Sequence, residues 1–298
     1  MQFFSRPSTL AGVLLMLGGM FLFSVNDVVG KWLVATYTVG QVLLIRSVFA
    51  LAALGPSVAR IGREAILHPP NRPMQALRVL LSTAEVALFY WAVTYLPLAD
   101  TVTFYLAGPI YVALLAGPLL GEKLPWRRLC FIALGFAGVV IALNPGSGMV
   151  GWPAFIAIAG SLCFAGMMLT TRRLKGTPDT TLVFWQMAGA LALGVVLAPI
   201  GWVTPTPRDF LLLGMLGVVA LGAHMLTNRS LMLAPASVVV PYQYTLIVWA
   251  MALGFLVFGD RPGWPMLLGS AVIVAAGVLL FWDEQRERKD AEPPADHP

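Results

Sequence analysis

Long apolar runs follow one another along almost the whole chain, and they restrict the possible folds more than any other feature of the sequence. Each run is close to the ~20 residues that a helix needs to cross the hydrocarbon core of a bilayer. The stretch from Leu211 to Leu221 is apolar on every face, which is typical of a helix surrounded by lipid, whereas a barrel strand alternates in polarity. The runs, numbered helices 1 to 10 in chain order, cover residues 10–34, 39–59, 75–96, 98–120, 124–143, 150–172, 180–202, 209–232, 236–258 and 264–282.

The scarcity of charged residues also indicates a membrane protein. Only 11% of the 298 residues are charged and 58% are hydrophobic, whereas a soluble domain carries about 25% charged residues. The two cysteines, Cys130 and Cys163, lie within apolar runs and predict neither a disulfide framework nor a metal site. We therefore expect an all-α membrane protein of ten transmembrane helices, with no separate soluble domain, no metal and no cofactor.

Basic residues indicate how the chain lies in the membrane, because cytoplasmic loops retain Lys and Arg. With the amino terminus inside, fifteen of the nineteen basic residues, Arg78 among them, fall on the inner side. Lys31, Arg208 and Arg261 fall on the outer side, and Arg46 lies within a span. The pattern predicts two cytoplasmic termini, the second a disordered tail over residues 284–298. The net charge of +5 then implies no nucleic-acid partner.

Motifs of the first half of the chain recur in the second half with their spacing unchanged. Gly19, Phe23 and Lys31 recur as Gly160, Phe164 and Arg172, which defines a first register between the halves. A second, nearly equal register takes Pro97, Gly121, Glu122, Lys123 and Trp126 to Pro235, Gly259, Asp260, Arg261 and Trp264. We predict that residues 1–145 and 146–283 form two five-helix repeats around a central cavity. The repeats should be inverted relative to each other, because five is odd.

Prolines within two of the runs predict local breaks in the helices. Pro109 lies within helix 4, but its approximate equivalent in helix 9 is Ile247, and helix 9 carries Pro241 nearer its start. The difference indicates either a hinge on one side or local drift between the repeats.

The turns that follow helices 4 and 9 suggest a family. The Gly-Glu-Lys-Leu-x-Trp turn beginning at Gly121 and its Gly-Asp-Arg-x-x-Trp counterpart beginning at Gly259 resemble the EamA-type halves of the drug/metabolite transporter superfamily. The resemblance extends from about residue 10 to residue 282. It implies a ten-helix alternating-access carrier with helices 5 and 10 at the periphery, and within the superfamily the chain most resembles the aromatic amino-acid exporter branch often called YddG. Similar carriers transport S-adenosylmethionine, riboflavin and other solutes.

Charged residues within the spans are candidates for mechanism, because a charge at depth is costly and is expected to be paired. Asp27 and Lys31 lie one turn apart on helix 1, and Asp27 and Arg46 both lie about 10 Å below the outer ends of their helices. The three form either an outer gate or a permanent ion pair. Glu85, about 15 Å from the inner end of helix 3, either carries a proton or binds a substrate ammonium, or it donates a hydrogen bond without titrating.

Aromatic and hydroxyl side chains on several helices predict the lining of the cavity, since rings and hydroxyls suit neutral, partly apolar solutes. The same residue types are also enriched at membrane interfaces. His224 on helix 8 is either a proton relay or a hydrogen-bonded packing residue. Besides Glu85 and His224, the predicted lining consists of Tyr90, Thr101, Tyr105, Trp185, Gln186, Tyr242, Thr245 and Trp249.

These features together predict a secondary transporter. We expect it to export amino acids, aromatic and other neutral ones above all, by alternating access across a bacterial inner membrane. The alternative is an uptake carrier for another metabolite such as S-adenosylmethionine or riboflavin. An enzyme is disfavoured because the sequence has no metal-ligand set and no nucleotide-binding loop. A carrier of phosphorylated anions is disfavoured because Arg46 is the only basic residue predicted at depth. The oligomeric state stays open.

Overall fold

The computed structural model describes residues 9–96, 98–121, 125–143, 152–258 and 263–290, and within these ranges all regular secondary structure is helical. The predicted all-α class and its ten helices are confirmed. Helices 4 and 9 each consist of two parts, and a short helix, Arg63–Leu67, lies in the loop between the second and third helices. The helices are α1 Thr9–Leu33, α2 Val39–Ile61, α3 Arg72–Val93, α4a Leu98–Tyr105, α4b Gly108–Leu120, α5 Trp126–Leu143, α6 Trp152–Arg173, α7 Asp179–Leu197, α8 Pro207–Leu233, α9a Ala236–Val239, α9b Thr245–Phe258 and α10 Trp264–Asp290.

The outer surface of the bundle is apolar. Within the described ranges, six helices (α1, α2, α3, α6, α7 and α8) are long and apolar enough to cross a membrane. Large apolar side chains point outward from them, including Leu80, which is 68% exposed, and Leu211, which is 66% exposed. Soluble monomers rarely expose so many large apolar side chains together. Lipid is therefore the solvent that suits this surface.

Polar residues at the loop ends set where several helices begin. Thr38, Asn71 and Thr206 precede α2, α3 and α8, and the side-chain oxygen of each accepts a hydrogen bond from the backbone N–H three residues later. Such bonds satisfy one of the amide groups that the first helical turn leaves without a partner. Pro73 and Pro207 follow in the first turn, where the missing N–H costs nothing.

Helix contacts follow a two-fold pattern that relates the two halves of the chain. The extensive contact of α1 with α8 has its counterpart between α6 and α3, and α2 packs against α7. The helices α5 and α10 pack against each other, away from most of the others. Exchanging the halves therefore reproduces the contacts, as expected of inverted repeats.

Glycines allow the helices of the two repeats to approach closely. Gly217 of α8 faces the backbone of Arg46 in α2, and a Cβ atom at this position would overlap with the Arg46 carbonyl group. Gly194 of α7 has a similar place, because a Cβ there would lie 2.6 Å from the backbone nitrogen of Leu44. Small residues at such crossings let membrane helices pack by backbone contact.

The helices α4 and α9 are both interrupted. Leu106 and Ala107 separate α4a from α4b. The register that takes Pro97 to Pro235 takes these two residues to Tyr244 and Thr245, where a 3-10 turn, Val240–Tyr244, passes into α9b. Pro109 follows the first break and Pro241 lies within the second. The breaks coincide only at Leu106 and Tyr244, and the one in α9 begins four residues earlier, so the difference between the prolines extends to the breaks.

Two sequence-based assignments need correction. Arg78 was assigned to the inner loop, but it lies within α3 and is completely buried. Residues 284–290 were predicted to begin a disordered tail, but α10 continues to Asp290, and residues 291–298 lie outside the described part of the chain. Just before this extension, Asp283 forms an ion pair with Arg128 of α5 at 3.6 Å, which holds α10 against α5.

Candidate functional site

A cavity lies between the two repeats, and its empty space is about 730 Å³ when open solvent is included. The first repeat contributes α1 to α4a and the second contributes α6, α8 and α9, so neither repeat encloses it alone. This is the position at which substrate sites of inverted-repeat carriers are found. Its lining comprises Met20, Phe23, Asn26, Asp27, Arg46, Glu85, Val86, Phe89, Tyr90, Val102, Tyr105, Leu106, Phe164, His224, Gln243 and Leu246.

The cavity opens at one end of the bundle, between α1 and α3. A wider space of about 950 Å³, which includes open solvent, shares Asp27 and Tyr90 with the cavity. It continues to Ala35 and Leu96, just past the ends of α1 and α3. We call this gap the mouth. The opposite end, where α3 begins and α6 ends, is called the closed end.

Three charged side chains, Asp27, Arg46 and Glu85, line the cavity on adjacent helices of the first repeat. Nη1 of Arg46 donates a hydrogen bond to the Tyr90 hydroxyl at 2.9 Å, and the guanidinium lies 5.8 Å from the centre of that ring. Both carboxyl groups are electrostatically coupled to Arg46. Among the described residues, however, neither forms a direct ion pair with it.

Arg46 keeps an unused hydrogen-bond donor. Its Nε atom is buried and has no hydrogen-bond partner among the described residues. A buried donor without a partner costs free energy, so a ligand carboxylate at this place would gain from binding it. The side chain of Lys31, the third member of the predicted gate, lies outside the described part of the chain.

Aromatic rings form the other walls of the cavity. The ring of Tyr105 meets that of Phe89 edge to face, with ring centroids 5.1 Å apart, and lies 6.1 Å from that of Phe164. The Tyr105 hydroxyl donates to the Glu85 carbonyl oxygen at 3.1 Å. Gly160 leaves room for this hydroxyl, because a Cβ atom there would overlap with it. The rings are therefore held in fixed positions beside the charged cluster.

Neutral polar groups of the cavity come mainly from the second repeat. His224 packs edge to face on Phe23 at 4.9 Å, and Nε2 of Gln186 lies 3.1 Å from each of its ring nitrogens. Gln243, in the 3-10 turn of α9, donates to the sulfur of Met168 at 2.7 Å. Asn26 of α1 donates to the Leu216 carbonyl oxygen at 2.9 Å. Asn26 and Gln243 line the cavity but do not belong to the lining predicted from the sequence.

Six predicted lining residues lie behind the cavity surface. Trp185 faces the loop helix and donates to the Ile66 carbonyl oxygen at 2.8 Å. Thr245 donates to the Tyr242 carbonyl oxygen at 2.7 Å, as part of the turn at the break in α9. The 3-10 turn rotates the residues around it, so the helical spacing used for α9 does not hold there. The other four are buried Thr101 and Tyr242, Gln186 beneath His224, and Trp249, whose ring meets that of Phe21 at 5.2 Å.

A buried arginine joins four helices beneath the cavity, near the closed end. Nε of Arg78 donates to the Thr171 hydroxyl at 2.7 Å, and Nη1 donates to the Leu182 carbonyl oxygen at 3.0 Å. Nη2 donates to Gln186 Oε1 and to Asn228 Oδ1, each at 3.0 Å. A guanidinium, which has donors on every side of its fork, can be buried in this way only when acceptors surround it. Arg78 of α3 thereby links α6, α7 and α8.

The spacing of the polar residues along α3 could have predicted this network. Gln75, Arg78, Ser82 and Glu85 follow one another at intervals of three and four residues, which places them on one face of the helix. This polar stripe runs from the closed end to the cavity wall. The pattern was missed because Arg78 was counted with the loop residues, whereas the helix already begins at Arg72.

Further contacts fasten the closed end. Nη1 of Arg172 in α6 donates to the Leu231 carbonyl oxygen of α8 at 2.9 Å. Arg229 of α8 and Asp179 of α7 form an ion pair at 3.7 Å. These contacts and the Arg78 network connect the helices at this end, whereas α1 and α3 stand apart at the mouth. Within the described ranges, no three His, Cys, Asp or Glu side chains come together to hold a metal ion.

Comparison with known families gives a match over nearly the whole chain. A model of the EamA-like transporter family matches residues 10–144 and, a second time, residues 151–282. A solved crystal structure superimposes with a TM-score of 0.80 at 16% identity, covering 94% of this chain and 99% of that one. This likeness concerns the fold alone.

Relatives with named functions carry different solutes. A riboflavin transporter of Rhizobium johnstonii is 27% identical, over 96% of both chains. An S-adenosylmethionine uptake transporter of Rickettsia prowazekii is 24% identical, over 88% of this chain and 90% of that protein. A pseudopaline exporter of Pseudomonas aeruginosa is 25% identical, over 91% of this chain and 95% of that protein. One is named for uptake and one for export, so direction and solute do not follow from similarity.

Proposed function

Because the chain belongs to the EamA-like transporter family, we propose that it is a secondary carrier of small zwitterionic or cationic metabolites, with amino acids as the leading class. The family consists of membrane transporters, and the chain is a transporter rather than an enzyme. Its sequence has no nucleotide-binding loop that would support direct driving by ATP. The gradient of a solute or an ion therefore supplies the energy.

The main support for this substrate class is that opposite charges line one wall of the cavity while aromatic rings line the other walls. Asp27 and Glu85 offer carboxylates to a substrate ammonium group. The unpartnered Nε of Arg46 offers a donor to a substrate carboxylate. The rings of Phe89 and Tyr105 offer an apolar contact to the rest of the molecule. An amino acid with an apolar or aromatic side chain presents these three groups together, which favours this class.

For direction and location we propose export across a bacterial-type inner membrane. The excess of basic residues on one side supports cytoplasmic termini, and the mouth then faces outward. The resemblance to the aromatic amino-acid exporter branch supports export and the preference for aromatic substrates. None of the relatives named above carries that description, so substrate and direction need a direct test.

The second candidate is an uptake carrier for another metabolite. The Rickettsia and Rhizobium relatives are named for S-adenosylmethionine and riboflavin. S-adenosylmethionine carries an amino-acid group, a sulfonium cation and a flat heterocycle, and therefore suits the same charged and aromatic walls. Riboflavin carries no ionic group that would pair with Arg46 or Asp27. The charged wall favours the first of these two solutes.

Counterflow in proteoliposomes tests the proposal. The purified protein is reconstituted, vesicles are loaded with each solute of a panel, and entry of the same labelled solute is followed. The panel contains phenylalanine, tryptophan, leucine, S-adenosylmethionine and riboflavin, and protein-free liposomes are the control. We expect acceleration by the aromatic amino acids. Acceleration by none of the amino acids would overturn the leading class, and acceleration by S-adenosylmethionine or riboflavin alone would establish the second candidate.

A further inference from the structure

The inverted repeats define where a second mouth belongs. The open mouth lies between α1 and α3, with Gly30 and Tyr90 among its lining residues. Exchange of the repeats relates α1 to α6 and α3 to α8. The first register between the halves takes Gly30 to Thr171 of α6, and the second takes Tyr90 to Asn228 of α8. A second mouth at the closed end would therefore lie between Thr171 and Asn228.

Arg78 occupies this place. Its guanidinium donates to Thr171 at 2.7 Å and to Asn228 at 3.0 Å, so it bridges the two helices that would have to separate. The side chain is completely buried, with 0% of its surface exposed. It comes from α3, which packs against α6 and is not one of the two helices that border the gap. The second mouth is thus filled by a side chain from the other repeat.

We propose that Arg78 is the latch that holds the closed end shut, and that its release opens the second mouth to the cavity. The proposal rests on alternating access, the proposed mode of transport. In the open form of that end, water entering between α6 and α8 replaces the acceptors that the guanidinium loses. Arg78 acts through the position of the helices and does not contact the substrate, so it is a positioning residue.

The acceptors around Arg78 suit a contact that must break and re-form. All four are neutral: a hydroxyl, a carbonyl and two amide oxygens. Breaking a buried ion pair leaves an uncompensated charge and is strongly unfavourable. Hydrogen bonds from a guanidinium to neutral oxygens are weaker than charge pairing, and water can replace each of them. The hydrogen bonds of Arg78 can therefore hold the closed end shut and still break when that end opens.

Gln186 connects the latch to the cavity. Its Oε1 accepts from Arg78 and its Nε2 lies 3.1 Å from the ring nitrogens of His224, which lines the cavity. A solute that shifts His224 therefore also shifts an acceptor of the latch. This chain of contacts is the physical route by which an occupied cavity favours opening of the closed end.

Sided labelling of a cavity cysteine tests the latch without requiring a known substrate. In a background with both native cysteines replaced by serine, Leu246→Cys places one thiol in the cavity, on a helix outside the latch. A membrane-impermeant maleimide is added to right-side-out and to inverted vesicles, and the two labelling rates are compared. With Arg78 intact, we expect the faster rate from the mouth side. Arg78→Gln should raise the closed-side rate by at least about tenfold, because the loss of even one of the four charge-assisted hydrogen bonds produces a population shift of this size.

Controls separate the latch from a general loss of structure. Arg60→Gln removes an exposed cation in the last turn of α2, at the same end, but takes no part in the Arg78 network, so its closed-side rate should stay at the reference value. Arg78→Lys keeps the charge without the planar fork and should give an intermediate increase. If size-exclusion chromatography shows that Arg78→Gln does not fold, the closed-side rate of Arg78→Lys decides whether Arg78 holds the closed end shut.

Two results would overturn the proposal. One is an unchanged closed-side rate in the folded Arg78 variants, and the other is an equal rise in Arg60→Gln. Failure of every solute in the counterflow panel would leave this measurement unaffected, because the maleimide reports only on access to the cavity. The two proposals therefore fail independently.

Discussion

At the scale of the residue, the charged wall of the cavity combines one cation with two carboxyl groups. Arg46 is held by Tyr90, which leaves its Nε free to bind a ligand. Asp27 lies on α1, where the cavity continues into the mouth, since it lines both spaces. It is therefore the first carboxylate that a solute entering through the mouth meets.

Replacing Asp27 tests whether this carboxylate binds the substrate. In Asp27→Asn, we expect KM for a transported amino acid to rise about tenfold, because the ammonium group loses a charged partner at the cavity wall. The measurement is the concentration dependence of counterflow. Glu64→Gln is the matched control, since this glutamate pairs with His68 on the exposed loop helix and is remote from the cavity. An unchanged KM in Asp27→Asn would favour the alternative of a purely structural charge.

The residues at depth also show where sequence reasoning works and where it stops. Asp27, Arg46 and Glu85 were selected as candidates for mechanism because they are charged residues within the spans, and all three line the cavity. Arg78 was missed because it was counted with the basic residues of the inner side, although the run over residues 75–96 contains it. Trp185 has the chemistry of a cavity residue but faces the loop helix, and the orientation of a helix about its axis cannot be derived from composition.

At the scale of the element, close helix crossings depend on glycines whose neighbours differ widely. Gly217 faces the backbone of α2, whereas an added Cβ atom at Gly277, within α10, would meet nothing within 4 Å. Backbone atoms cannot move aside as a flexible side chain does. The two sites therefore separate the packing role of glycine from its poor helix propensity.

Alanine at these two positions should act in opposite directions. Gly217→Ala is expected to lower the free energy of unfolding by about 1–3 kcal/mol, the usual range for overpacking. Gly277→Ala should raise it by roughly 0.5–1 kcal/mol, because alanine is the better helix former. Unfolding of the purified variants in detergent micelles measures both. Equal stability of the two variants would contradict the close crossing of α2 and α8.

The breaks in α4 and α9 were only partly predictable. Pro109 and Pro241 indicated local disturbances of both helices, and their different positions indicated an asymmetric pair. The two breaks share only the level of Leu106 and Tyr244, because the 3-10 turn of α9 begins at Val240, next to Pro241. Local residue preference therefore predicts that a break exists, whereas its extent depends on tertiary packing.

At the scale of the whole molecule, the number of helices and the distribution of basic residues predict the topology. Both features are visible in the sequence, so the fold was largely predictable from it. Ten crossings return the chain to the side on which it began. The sequence could not predict which end of the bundle is open. That depends on which of two symmetry-related gaps, between α1 and α3 or between α6 and α8, is filled by a side chain.

Sided labelling of loops tests the predicted topology. In the cysteine-free background, Thr204→Cys, in the loop between α7 and α8, should react with an impermeant maleimide added outside intact cells. Lys175→Cys, in the loop between α6 and α7, should react only after the membrane is permeabilised. Labelling in the opposite pattern would reverse the orientation and place the mouth on the cytoplasmic side.

The uneven distribution of charge between the repeats has a consequence for how a solute is held. Among the described lining residues, the charged side chains Asp27, Arg46 and Glu85 all come from the first repeat, whereas the second repeat contributes His224 and Gln243. The proposed zwitterionic substrate would therefore meet ionic partners on only one half of the protein. We expect the carrier to distinguish the head of such a molecule from its tail, so that the molecule travels in a single orientation.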